Sequence, residues 1–283
     1  MKRLKISQYI ETTGKQKKPI KFIISKILIR LKCSHVFSFK YKHHYLKFFP
    51  TFLSRILWVD HDYDHSGSKT EDFIWNYLED GNIFVDVGAN IGTTTLEASN
   101  KIGKGGKIYS FEANPKIFNF LKKNIVFNKS KNINIFNCAI GSESKRVFFS
   151  DVFADESNSV QNEESELMVE MKTLDEIIPN DLKINLMKID VLGYEKFVLL
   201  GAKKILNNIT CIHFPAIAHF YKKYDYSYEQ IFRYLRDYGF LICIINNNGF
   251  LEELPDEFKP EIGDYIAIKS GSEFLKYSKC KLL

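Results

Sequence analysis

Between residues 83 and 268 short apolar runs alternate with amphipathic segments, and that alternation constrains the fold more than any other feature of the chain. Runs rich in Ile, Val and Phe at 83–87, 107–111, 133–138, 184–190, 210–214, 240–245 and 265–268 read as strands. Helical patterns fall between them, near 92–101, 115–128, 194–206 and 228–238. Strand followed by helix followed by strand calls for crossover connections, so the expected class is α/β with a mostly parallel, Rossmann-like sheet. Two extra short strands, 146–150 and 168–172, are expected between the third and fourth of these, joined by a polar loop at 156–166. A helix opened by the capping-box pair Ser68 and Glu71 is expected to run to about Glu79.

The first strand ends in Asp86-Val87-Gly88-Ala89-Asn90-Ile91-Gly92. Gly88 and Gly92 permit a sharp turn from strand into helix and leave room for a ligand against the backbone. The helix N-terminus beyond offers unpaired N–H groups to a carboxylate, and Asp86 supplies a negative group beside the same crevice, a combination suited to a zwitterion. Glu112 ends the second strand twenty residues after Gly92, where an acid reaches the two hydroxyls of a ribose. Asn114 and Pro115 then open the next helix as N-cap and first-turn proline. A purely structural strand-to-helix junction is the bland alternative. The loop lacks the G-x-G-x-x-G order of dinucleotide sites and the chain has no GK[ST] phosphate loop, so a single nucleoside with an amino-acid tail is favoured.

Four motifs in this order, Phe84 to Gly92, Phe111 to Pro115, Thr173 to Glu176 and Lys188 to Glu195, resemble the FkbM-type S-adenosylmethionine-dependent methyltransferases, over about residues 70–206. The resemblance implies S-adenosylmethionine as cofactor, with Asp86, Gly88, Asn90 and Gly92 around its methionine part and Glu112 on its ribose. It further implies a seven-stranded sheet whose last strand is antiparallel, the adenine near Asn137, Cys138 and Ala139, and methyl transfer to a hydroxyl acceptor such as a sugar, glycan or secondary metabolite. Two positions depart from the family pattern. Leu192 stands where an acid is usual, and Ile212-His213-Phe214-Pro215 lacks the acid usual near the end of the fifth strand. Neither lies in the nucleoside crevice, so the departures bear on catalysis rather than on cofactor binding, and a catalytically degenerate binding module that keeps the fold is the competing reading.

Methyl transfer to a hydroxyl needs the acceptor positioned and its proton removed. Asp190, at the carboxyl end of the fourth strand where open α/β sheets place their ligands, is the first candidate for that work. His213 is the second, although a satisfied core histidine is an equal reading for it. Lys188 and Glu195 are candidate orienting charges. No metal is expected, because the readings above supply no second acid beside Asp190 to hold one.

The formal net charge of +6 hides an asymmetry. Residues 1–58 carry fourteen Lys and Arg against Glu11 alone, which leaves the remainder net negative by about seven. Residues 1–67 therefore read as a basic extension and 68–283 as the methyltransferase domain. Within the extension Ile20, Ile23, Ile24, Ile27, Leu28 and Leu31 form one apolar helical face after Pro19, and 36–49 resembles one or two aromatic-rich strands. That helix has three readings: packing on the domain, docking on a partner, or peripheral contact with an anionic membrane. A nucleic-acid base is disfavoured as acceptor, because the fourth strand is followed by Asp190-Val191-Leu192-Gly193 and not by the Pro-Pro-aromatic run of base-amine methylating enzymes; a ribose acceptor stays open. The five cysteines are widely spaced, and no signal-peptide or membrane-spanning run is evident, so a reducing, cytoplasmic setting is expected.

Overall fold

The computed structural model describes residues 18–60, 66–151, 158–161, 165, 167–258 and 263–283, with the side chains of 66–68 left out. The basic segment 1–17, most of the turn-prone stretch at 60–67 and most of the polar 156–166 loop lie outside those residues.

The chain opens with helix α1 (Pro19–Arg30), a hairpin of β1 (Ser38–Tyr41) and β2 (His44–Lys47), and helices α2 (Phe52–Val59) and α3 (Ser66–Tyr77). Alternation follows: β3 (Ile83–Val87), α4 (Thr93–Ile102), β4 (Lys107–Phe111), α5 (Pro115–Asn128) and β5 (Ile133–Phe136). Next come short strands β6 (Ala139–Ile140), β7 (Lys145–Phe149), β8 (Val160–Gln161) and β9 (Leu167–Lys172), and the single turn α6 (Leu174–Ile177). The last third contains β10 (Ile184–Ile189), α7 (Glu195–Leu200), β11 (Ile209–Ala216), α8 (Ala218–Lys222) and α9 (Tyr228–Asp237). It closes with β12 (Phe240–Ile245), β13 (Leu251–Glu253), β14 (Gly263–Lys269) and α10 (Ser272–Ser278).

The main sheet has the order β13-β12-β14-β11-β10-β3-β4-β5. β11, β10, β3, β4 and β5 run parallel, and β14 is antiparallel to both neighbours, β11 and β12. The expected Rossmann-like α/β sheet with an antiparallel last strand is therefore present, with eight strands and not seven. The extra edge strand β13 carries Glu252 and Glu253 outward and buries only Leu251, so it has no alternating pattern to betray it. The expected strands near 146–150 and 168–172 are β7 and β9, which join β6 and β8 in a separate four-stranded sheet.

Two local expectations are corrected. Ser68 does not open α3, which begins at Ser66, and Glu71 turns inward to accept the Tyr41 hydroxyl at 2.6 Å. The helix expected at 194–206 stops at Leu200. There Gly201 lies so close to the Gly141 carbonyl that a Cβ could not fit, and the Asp175 carboxylate accepts the N–H groups of Lys204 and Ile205. A side chain from another element thus takes the donors a longer helix would have used.

Both faces of the main sheet are covered, which is why its parallel strands are mostly apolar, with Asp86, Lys188 and His213 as buried polar exceptions. The N-terminal region shares a core with the sheet unit: Phe39, Leu46, Phe48 and Leu57 pack with Ile91, Leu96, Ile117 and Leu121. Polar contacts add to this, since Asn124 of α5 accepts from the Lys47 N–H and donates to the Ile91 carbonyl at 2.8 Å. The hairpin thereby buttresses the turn after β3.

Candidate functional site

The turn after β3 is shaped by three residues with positive φ, Gly88 (85°), Asn90 (49°) and Gly92 (95°). A Cβ at Gly88 would collide with the Asp190 carbonyl oxygen, and one at Gly92 would meet Leu121 Cδ1 at 2.6 Å. Glycine at 88 therefore lets the chain after β3 lie against the chain after β10, where Asp190 N donates to the Val87 carbonyl at 2.9 Å. One cavity of about 600 Å³ opens over this junction. It reaches from Gly88, Asn90 and Glu112 past Cys138 and Ala139 to Lys188, Asp190, His213 and Asp264.

Glu112 sits on the wall with its carboxylate fixed by the backbone N–H groups of Asn90 at 2.9 Å and Asn114 at 2.8 Å. A carboxylate oxygen can accept more than one hydrogen bond, so this group type suits a pair of hydroxyls. Asn114 caps α5 by accepting from Lys116 and Ile117, as the sequence indicates.

Strand register explains the far half of the cavity. Asp86, Lys188 and His213 are partners across β3, β10 and β11, so all three side chains lie on one face in a row. Lys188 Nζ stands 3.6 Å from Asp86 Oδ1 and 3.4 Å from Asp190 Oδ2, and donates to the Gly88 carbonyl at 3.2 Å. Burial works against the ammonium, but Asp190 and Asp86 outweigh it and hold the Lys188 pKa above the ordinary lysine value. His213 is buried beside the Phe73 ring, and burial, followed by the Lys188 charge, pushes its pKa down to about 4. It is a neutral imidazole near pH 7, and its Nδ1 has no hydrogen-bond partner among the described residues.

Several sequence expectations are redrawn by this geometry. Asp86 does not line the cavity: it is fully buried, accepting the hydroxyls of Thr94 and Thr95, and it touches the wall through Thr94 and Lys188. Gly92 shapes the start of α4 from behind the wall. The Asn137 NH2 donates to the Glu112 and Ala113 carbonyls, and the residue is likewise off the wall, where its neighbours Cys138 and Ala139 are found. Glu195 turns back to the N–H groups of Val191 and Gly193 at 3.2 Å, and orients that turn and not a ligand. Gly88, Asn90, Glu112, Asp190 and His213 do meet around one cavity.

Sequence reading missed Asp264. It lies on β14 paired with Pro215, two positions along from His213, so it presents a carboxylate beside the end of β11, where β11 itself has none. Burial, with Asp190 adding to it, raises its pKa to about 6. The only local signal was an acid just before the apolar run Tyr265–Ile268, which becomes meaningful once the antiparallel register is known.

Comparison with known proteins agrees with the motif order. Residues 86–242 match the family described as the methyltransferase FkbM domain, more than half of the chain. "Methyltransferase 1" of Beauveria bassiana is 26% identical over 175 residues, 53% of this chain and 66% of that protein, so the match spans just under two thirds of the relative's length. Among solved structures, methyltransferase FkbM from Methylobacillus flagellatus is 16% identical with a TM-score of 0.46, covering 76% of this chain and 53% of that one. Aeropyrum pernix fibrillarin with bound S-adenosyl-L-methionine is 15% identical with a TM-score of 0.42, covering 71% and 74%. These structural likenesses are distant, and the assignment rests on the sequence match. The chain belongs to the FkbM family of S-adenosylmethionine-dependent methyltransferases.

Proposed function

We propose that this protein transfers a methyl group from S-adenosylmethionine to a hydroxyl acceptor, a sugar, glycan or secondary metabolite, within the one cavity described above. The observation that carries the proposal is the continuity of that cavity, from the glycine turn and Glu112 at one end to Asp190, His213 and Asp264 at the other. The nucleoside end fits the cofactor because Gly88 and Asn90 line the wall and Glu112 is already oriented by two N–H groups. In this reading Gly88 and Asn90 face the methionine part, Glu112 takes the ribose hydroxyls, and Cys138 and Ala139 lie along the adenine.

The bound cofactor supplies a methyl group on a positively charged sulfur that departs as a neutral thioether. The protein's task is to hold the acceptor oxygen in line and to receive its proton. Asp264 is suited to receive it, since a pKa of about 6 leaves it ionised yet basic near neutral pH. Asp190, joined to Lys188, positions the acceptor from the opposite strand end. His213, neutral and buried, offers a lone pair for one more hydroxyl.

The test is isothermal titration with S-adenosylmethionine together with release of S-adenosylhomocysteine over a panel of hydroxylated acceptors. Glu112→Ala is expected to weaken cofactor binding about tenfold or more, the scale of a charge-assisted hydrogen bond. Asp264→Asn should keep that affinity, lower turnover about a hundredfold and remove the acid limb of the pH profile near 6. Absence of cofactor binding by the wild type would overturn the proposal. Binding without turnover on any acceptor would instead favour the degenerate module, for which Leu192 on the cavity wall beside Asp190 is the specific observation.

A further inference from the structure

Helix α1 is attached to the molecule by the side away from most of its apolar stripe. Phe22, Ser25, Leu28 and Ile29 face inward, Ser25 fully buried and Leu28 and Ile29 against the N-terminal core. The Arg55 guanidinium and the Lys26 ammonium lie over the Phe22 ring, and Lys21 lies over Trp58. The stripe itself points away: Ile20 is 74% exposed, Ile24 42%, Ile27 50% and Leu31 67%. Of the stripe, Leu28 alone packs on the domain, so packing leaves Ile20, Ile24, Ile27 and Leu31 uncovered.

The exposed apolar surface continues beyond the helix. Val36 and Phe37 follow at 68% and 43% exposure, and Lys47 links this corner to α5 by donating to the His35 carbonyl while lying over the Phe127 ring. Tyr45 packs edge-on against Phe127, and Val126 beside it is 69% exposed. Among the described residues ten of the thirteen exposed large apolar side chains fall on α1, the segment after it, the hairpin and the end of α5, so the exposure is concentrated and not scattered.

Charge selects the partner. No Asp or Glu occurs from Ile20 to Val59, nor from Ala113 to Ser142, the two stretches that build this surface. Arg30, Lys32, Lys40, Lys122, Lys123 and Lys129 are exposed around it. Apolar side chains ringed by cations with no acid among them match a layer of anionic headgroups over hydrocarbon. No helix among the described residues is long and apolar enough to cross a membrane, which leaves contact in the plane of the interface. We propose that α1 and the adjoining end of α5 seat the protein on an anionic phospholipid surface. Because Leu53 of the neighbouring α2 lines the large cavity, the seat adjoins the site.

The experiment is co-sedimentation of the full chain with vesicles of phosphatidylcholine, with and without phosphatidylserine. Binding is expected only to the phosphatidylserine vesicles, weakened about tenfold by the pair Ile24→Ser and Ile27→Ser and reduced by added salt. Both side chains face solvent, so thermal unfolding and S-adenosylmethionine titration of the pair should match the wild type, which separates this proposal from the one on catalysis. No sedimentation with anionic vesicles, or binding indifferent to the substitutions, would overturn it. So would a dimer in light scattering that the same pair dissociates, because the stripe would then be covered by a second copy.

Discussion

Lys188 holds a position that few lysines occupy, buried between Asp86 and Asp190 with its ammonium directed at the Gly88 carbonyl. It ties together the glycine turn, the strand beneath it and the acid at the next strand end. Removing one partner from a buried ion pair strands the other charge without solvent. Lys188→Met should therefore destabilise the protein by about 3–5 kcal/mol, read from the midpoint of urea unfolding, while the double variant with Asp86→Leu should recover a large part of that loss. A double variant as unstable as Lys188→Met alone would show that Asp86 is not the stranded group. Much of this was hidden in the sequence: Asp86 reads as a crevice acid, and only the register of three strands turns it into the lysine's buried partner.

Among the elements, α5 links the Glu112 end of the cavity to the N-terminal extension. Its N-terminus follows Glu112 directly, its first turn is capped by Asn114, and its last turns hold the hairpin through Asn124 and Asn128. Asn114 does more than cap, because its Nδ2 also donates to Asp151 at 3.0 Å and its own N–H goes to Glu112. Asn114→Ala is expected to cost about 1–2 kcal/mol, seen as a fall of roughly 2–4 °C in melting temperature. An unchanged melting temperature would mean that the cap is replaced by water. This cap was legible because capping is a contact between near neighbours in the chain, Asn114 with residues two and three positions on. The end of α7 was illegible, since Asp175, almost thirty residues away, terminates it.

Over the whole molecule, buried carboxyls govern the response to pH. Burial raises the pKa of both Glu71 and Glu195 from 4.5 to about 7, so each favours the protonated form when folded. Their contribution to stability is complete below about pH 4.5, where both states are protonated, and is lost as pH rises through 7. His213, pushed from 6.5 to about 4, acts in the other direction: its contribution is present above 6.5 and is lost as pH falls through 4. Glu195→Gln should flatten the decline in unfolding free energy between about pH 4.5 and 7 and leave the protein up to about 3 kcal/mol more stable above it, measured by urea titration at stepped pH. A profile parallel to the wild type would show that Glu195 is ionised in the fold.

The sequence by itself determined the alternating α/β class, the glycine turn, the acid at the end of β4 and the capped helix after it. All of these lie within one strand–helix–strand unit, where residue spacing along the chain translates directly into position. The tertiary structure alone decided that Asp264 completes the cavity, because it and Asp190 are brought together by strands whose pairing depends on the whole sheet. It also decided that the α1 stripe faces outward, because periodicity defines a face of a helix but not which face the rest of the chain covers.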